Sequence, residues 1–95
     1  MIQKKFKVNT NYLIREVAGE YLLVAIDQAE HSQNQLMMLN ETGSFIWENL
    51  QEELTMEELV DRARKEFNDA DGLIEEHICE FVMALVNYGL IYERS

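Results

Sequence analysis

Apolar and polar positions change their period once along the chain, near residue 39. Before it, Tyr12-Leu13-Ile14-Arg15-Glu16-Val17 alternates, with Leu13 and Val17 on one face and Tyr12 and Ile14 on the other, which is the period of a strand. Tyr21-Leu22-Leu23-Val24-Ala25-Ile26 is almost wholly apolar and predicts a strand covered on both faces. Ala18-Gly19-Glu20 lies between them, with Gly19 suited to positive φ, so the two segments form an antiparallel hairpin. Phe6-Lys7-Val8 predicts a short lead-in strand. Asp27 to Asn34 is polar and reads as a loop. Gln35-Leu36-Met37-Met38-Leu39 then predicts a third strand that runs straight into helix.

Beyond residue 39 the period becomes helical. Asn40 is a good N-cap and Glu41 places negative charge in the first turn. Behind them Ile46, Trp47 and Leu50 supply an apolar face. Thr55-Met56-Glu57-Glu58 fits a capping box, and Leu59, Ala63 and Phe67 continue at four-residue spacing, which predicts a helix over 56–67. Asn68-Asp69-Ala70-Asp71-Gly72 interrupts the pattern, with Asp69 or Asp71 able to cap the next helix. That helix is predicted from Leu73 to Tyr88, with Gly89 as its C′ terminator. Its core stripe is Ile74, Ile78, Phe81 and Leu85, and Cys79, Val82, Met83 and Val86 widen the apolar arc beside it. Leu90-Ile91-Tyr92 finishes as an extended tail. The pattern predicts one α+β domain over 1–95: a winged-helix-like fold, with an N-terminal three-stranded antiparallel sheet followed by three helices.

Charge narrows the partners. Residues 1–38 are neutral overall, and residues 39–95 carry the entire net charge of −10. A winged helix raises the possibility of DNA, but the last predicted helix has Glu75, Glu76 and Glu80 and no Lys or Arg from Leu73 to Gly89. That surface is wrong for phosphate contacts, so no nucleic acid is expected. No apolar run is long enough to span a bilayer, which excludes a membrane helix, and the N-terminus lacks the apolar run of a signal peptide. The single cysteine cannot form an internal disulfide, so a cytoplasmic location is expected.

Metal, cofactor and catalytic chemistry find little to use. His77 and Cys79 are two apart and point to different sides of a helix, and His31 is distant. Asn68-Asp69-Ala70-Asp71-Gly72 resembles the start of a calcium loop, but its twelfth position is Cys79 instead of glutamate. A Cys79–His pair has no orienting third group, and the four glycines form no phosphate loop. The expectation is no metal, no cofactor and no catalytic residue.

An unpaired strand edge is a template for another extended chain. The Gln35–Leu39 strand contains no Lys or Pro to block such pairing. If the last helix packs beside it, the two make a groove with backbone hydrogen bonds on one wall and apolar side chains on the other. Gln35, Leu36, Met37, Met38 and Leu39 form the first wall. Glu75, Cys79, Val82 and Val86 form the second, where Glu75 and Glu76 can meet a basic peptide residue.

The run from Leu39 to Leu50 reads L-N-E-T-G-S-F-I-W-E-N-L and resembles the "LN-x-x-G-x-x-I/L-W-x-x-L" core of the PqqD-like family. Thr55-x-x-Glu58-Leu59, the terminal Leu85-Val86-Asn87-Tyr88-Gly89-Leu90-Ile91 and the early Arg15–Val24 segment match in the same order, so the resemblance covers residues 12–92. It implies a non-catalytic precursor-peptide recognition element. Such domains bind the leader of a ribosomally made precursor and present it to a modifying enzyme, often a radical SAM enzyme. It also implies that the leader adds to the third strand and lies against the last helix. The competing reading of the same scaffold is a small transcriptional regulator.

Overall fold

The computed structural model describes residues 4–25 and 37–94. The order is β1 (Lys5–Val8), β2 (Tyr12–Val17), β3 (Glu20–Ala25), β4 (Met37–Leu39), α1 (Glu41–Asn49), β5 (Leu54–Thr55), α2 (Met56–Glu66), α3 (Ile74–Asn87) and β6 (Ile91–Arg94). The predicted loop from Asp27 to Asn34, together with Ile26, Gln35 and Leu36, lies outside the described residues.

The strands form two antiparallel three-stranded sheets, ordered β2-β3-β4 and β5-β1-β6. The first is the expected N-terminal sheet. Its hairpin closes through two residues, Ala18 at φ 53° and Gly19 at φ 81°. Two successive left-handed residues make a type I′ turn, whose twist matches that of the strands. The second sheet was not expected. The lead-in strand leaves the hairpin and pairs Phe6 with Leu54 on one side and with Glu93 on the other.

Three helices follow with the caps their sequences encode. Asn40 Oδ1 accepts from the Gly43 N–H at 2.7 Å. In the capping box Thr55 Oγ1 accepts from Glu58 N at 3.1 Å, and Glu58 Oε1 accepts from Thr55 N at 2.9 Å. Before α3, Asp69 and Asp71 both act, accepting from the N–H groups of Ile74 and Leu73. At its end Gly89 (φ 79°) sets a Schellman closure. Leu90 N–H donates to Leu85 O and Gly89 N–H to Val86 O. The first helix stops at Asn49, short of the Glu52–Leu54 end that the pattern suggested, because Leu54–Thr55 is drawn off to pair with β1.

One core joins all layers: Phe6 and Val8, Leu23 and Leu39, Ile46, Trp47 and Leu50, Leu59 and Ala63, Ile78, Val82 and Leu85, then Ile91. In α3 the fully buried line is Ile78, Val82 and Leu85, while Ile74, Phe81 and Val86 are half-buried and Met83 is exposed. Val82 therefore belongs to the centre of the core, between the two stripes read from the sequence. Cover on both faces of β3 was also expected. Leu23 is buried, but Leu22 and Val24 on its other face do not pack on this core.

Candidate functional site: the open edge of the first sheet

The hydrogen-bonding direction of each residue in the first sheet follows from its turn. Val17 and Glu20 flank the two-residue loop, and the residues flanking such a loop form a hydrogen-bonded pair. Pairs then alternate along an antiparallel ladder. Leu22 thus bonds back to Arg15 in β2, while Tyr21 and Leu23 turn their backbone groups toward β4. Tyr21 pairs with Leu39 and Leu23 with Met37, and Met38 sits opposite Leu22 between them. The Met38 N–H and C=O therefore point away from the sheet, into an edge that no described strand occupies. Asn40 is still extended at φ −82° and ψ −176° and turns its N–H to the same side. Its C=O is already taken by the Ser44 N–H at 2.9 Å.

The side chains around this edge are mainly apolar. Leu39 is buried, Met37 packs on the core, and Met38 is 64% exposed on the opposite face of the sheet. At the β4–α1 junction the helices come close: a methyl group on Gly43 would stand 2.9 Å from Phe81 Cζ and 3.2 Å from Asn40 Oδ1. Gly43 is there to let α3 approach. Beside this contact opens a cavity of about 370 Å³ lined by Phe67, Ile74, Ile78 and Phe81 together with the polar Asn40, Thr42, Asn68, Asp71 and His77. On the other side of Asn40, Met38, Leu39 and Tyr21 floor a shallow depression flanked by Glu20 and Glu41.

The α3 residues singled out from sequence are distributed around the helix. At about 100° per residue, Phe81 lies on one flank of the buried line and Glu75, Cys79 and Val86 on the other. Glu75 reaches toward Arg64 of α2 at 3.5 Å and lines a separate groove with Lys4, Phe6, Met56 and Val60. Cys79 and Val86 are half-buried, and Val82 is wholly enclosed. Burial, reinforced by the negative charge of Glu75, raises the Cys79 thiol above its ordinary pKa, which disfavours a reactive thiolate. The flank that meets the β4–α1 junction is that of Phe81. Phe81, part of the core stripe expected from the sequence, packs against the core from its half-buried margin while its ring meets Gly43; a glycine inside a helix is the sequence signal of that close approach.

Among the described residues no group of three or more His, Cys, Asp or Glu side chains could hold a metal ion, and no described helix is long and apolar enough to cross a membrane.

Comparison with known proteins places this geometry. The sequence profile of coenzyme PQQ synthesis protein D (PqqD) matches residues 20–91, spanning β3 through the first residue of β6. No curated protein matches the chain. Among solved structures the chain is similar to TbiB1 in complex with the TbiA(beta) leader peptide, with a TM-score of 0.68 and 25% sequence identity over 90% of this chain and 93% of that one. With its profile matched from the hairpin to the last strand, this chain belongs to the PqqD family.

Proposed function

We propose that this protein binds the leader segment of a ribosomally made precursor peptide and presents it to a modifying enzyme. The leader adds as a strand to the free edge of β4. The observation that carries this reading is the outward Met38 backbone on an edge that no described strand occupies, with a cavity of mixed polar and apolar lining at Asn40 and Phe81. TbiB1, whose fold this chain shares, was solved with a leader peptide bound.

A peptide residue opposite Met38 exchanges two hydrogen bonds with it, and its neighbours on either side turn their side chains inward, toward α3. Met37, Met38 and Leu39 form the pairing wall. The facing wall is the Phe81 flank of α3, held in place from behind by Val82, with Cys79, Val86 and Glu75 on the far flank. Glu20 and Glu41 at the end of the edge favour a basic residue on the peptide. The protein itself performs no chemistry. It acts by raising the local concentration of the precursor at its enzyme, of which a radical SAM enzyme is one class. A reducing cytoplasm, where precursors are made, suits the unpaired Cys79.

The test is capture on the immobilised chain from the host lysate, read by mass spectrometry. A short precursor peptide retained together with a modifying enzyme is the expected result. Retention of DNA or regulatory proteins with no peptide would overturn the reading.

A further inference from the structure

The cavity beside the Gly43–Phe81 contact is walled by three parts of the chain: the β4–α1 junction at Asn40, the end of α2 with the turn after it, and α3 from Ile74 to Phe81. Its apolar walls are set by packing within the protein. The Phe67 ring stands edge-on to Phe45 with centroids 5.2 Å apart, the tip of the Phe81 ring lies against Gly43, and Ile78 is buried behind them. The polar lining is of another kind. Asp71 and His77 are exposed to solvent, and Asp71 is the carboxylate among the described lining residues. Its Oδ1 accepts from the Leu73 N–H at 3.2 Å, which orients the group and leaves Oδ2 to accept from a ligand. Asp69, two residues earlier, is engaged through both oxygens: Oδ1 accepts from the Ile74 N–H, and Oδ2 pairs with Arg64 Nε at 3.2 Å.

Strand addition delivers a side chain to this cavity. A peptide residue opposite Met38 points outward with Met38, so the next one, opposite the buried Leu39, points inward beside Asn40. The lining then selects its chemistry. A short side chain leaves the cavity unfilled. A wholly apolar one covers Asn68, Asp71 and His77 and removes their water with nothing in exchange. A carboxylate meets Asp71 in the half of the chain that carries the entire net charge of −10. A long basic side chain suits both linings: its stem lies along Phe67, Ile74 and Phe81, and its charged head reaches Asp71. A cation on the face of either ring adds to the attraction.

We infer that this cavity is the subsite for one long basic side chain of the leader, that of the residue opposite Leu39, with Asp71 as its counter-ion. Asp71 is then a specificity-determining residue. It acts apart from Glu20 and Glu41, which flank the depression on the other side of Asn40. The inference rests on the peptide-binding reading above.

The probe is the precursor peptide retained on the immobilised chain, with each Lys and Arg of its leader replaced singly by Gln. Titration calorimetry measures these peptides against the wild-type chain, Asp71→Asn and Asp69→Asn. Asn keeps an oxygen that accepts from the Leu73 N–H, so Asp71→Asn removes the charge and leaves the cap. Asp69→Asn removes the same charge from the same turn, outside the cavity. Asp71→Asn should weaken binding at least about fivefold, and Asp69→Asn should stay within about twofold. One leader substitution should cost as much as Asp71→Asn, and the two together no more than either alone. Equal losses in Asp71→Asn and Asp69→Asn overturn the inference, because Asp71 then contributes only to the general field. A leader without a basic residue, or one in which no substitution costs the wild-type chain more than about twofold, overturns it without recourse to either variant. In all these cases a Met38 amide that becomes protected on binding leaves the peptide reading standing. Failure of the wild-type chain to retain a precursor removes both readings together.

Discussion

Met37 and Met38 are chemically identical neighbours with opposite duties. The Met37 backbone bonds to Leu23 inside the sheet, and the Met38 backbone faces the open edge. Proline at each removes one N–H. Met38→Pro should leave the sheet paired and weaken peptide binding roughly tenfold, by the loss of about one hydrogen bond and the crowding of the added strand. Met37→Pro should lower the melting temperature instead. Titration calorimetry beside thermal unfolding separates the two. Gly43→Ala puts a methyl 2.9 Å from the Phe81 ring and should cost about 1–3 kcal/mol by overpacking. Phe81→Leu in the same chain should recover part of that stability, as a double-mutant cycle would show. Trp47 is wholly buried, and its Nε1–H meets no acceptor among the described residues. Trp47→Phe should therefore cost only lost volume, about 1–2 kcal/mol. Residue types and spacing made Asn40, Thr55 and Glu58 legible as caps, because capping is local chemistry. They could not separate Met37 from Met38, since that depends on a ladder phase set by the turn at Ala18-Gly19 twenty residues earlier.

At the scale of elements, α2 owes its start to the Thr55–Glu58 capping box. Thr55→Ala should destabilise the fold by about 1 kcal/mol. The hydrogen bond from the Thr55 backbone N–H holds the exposed Glu58 carboxyl below its ordinary pKa of 4.5. Because the folded value is depressed, the contribution of the charged box is complete above 4.5 and is lost as pH falls through the lower folded value. Thermal unfolding followed from pH 7 into that acid range should show Glu58→Gln losing less stability than wild type. The helices were largely visible in the sequence through their caps and their 3.6-residue period. The second sheet was not, because β5 is two residues long and β1, β5 and β6 come from three distant parts of the chain. No local pattern encodes such pairings. All of the α3 stripe of Ile74, Ile78, Phe81 and Leu85 reaches the core, Ile74 and Phe81 from its half-buried margin, and Val82 is buried with them.

The whole molecule is acidic in its helical half, with α3 lacking any basic side chain, and this disfavours a nucleic-acid surface. The same charge should draw in a basic leader, so peptide affinity should fall as ionic strength rises from low salt to about 0.5 M, on the scale set by the Debye length. An affinity independent of salt would show that apolar anchors alone hold the peptide. Among the described residues the β4 edge of the first sheet carries no further strand. The measurement that goes most directly to strand addition is residue-resolved amide hydrogen exchange with and without the captured precursor. Strand addition on β4 predicts that the Met38 amide exchanges rapidly in the free protein and becomes protected on binding, while Met37 and Leu39 are protected in both states. A peptide that binds with Met38 exchanging as fast as before would place the peptide elsewhere and contradict the account.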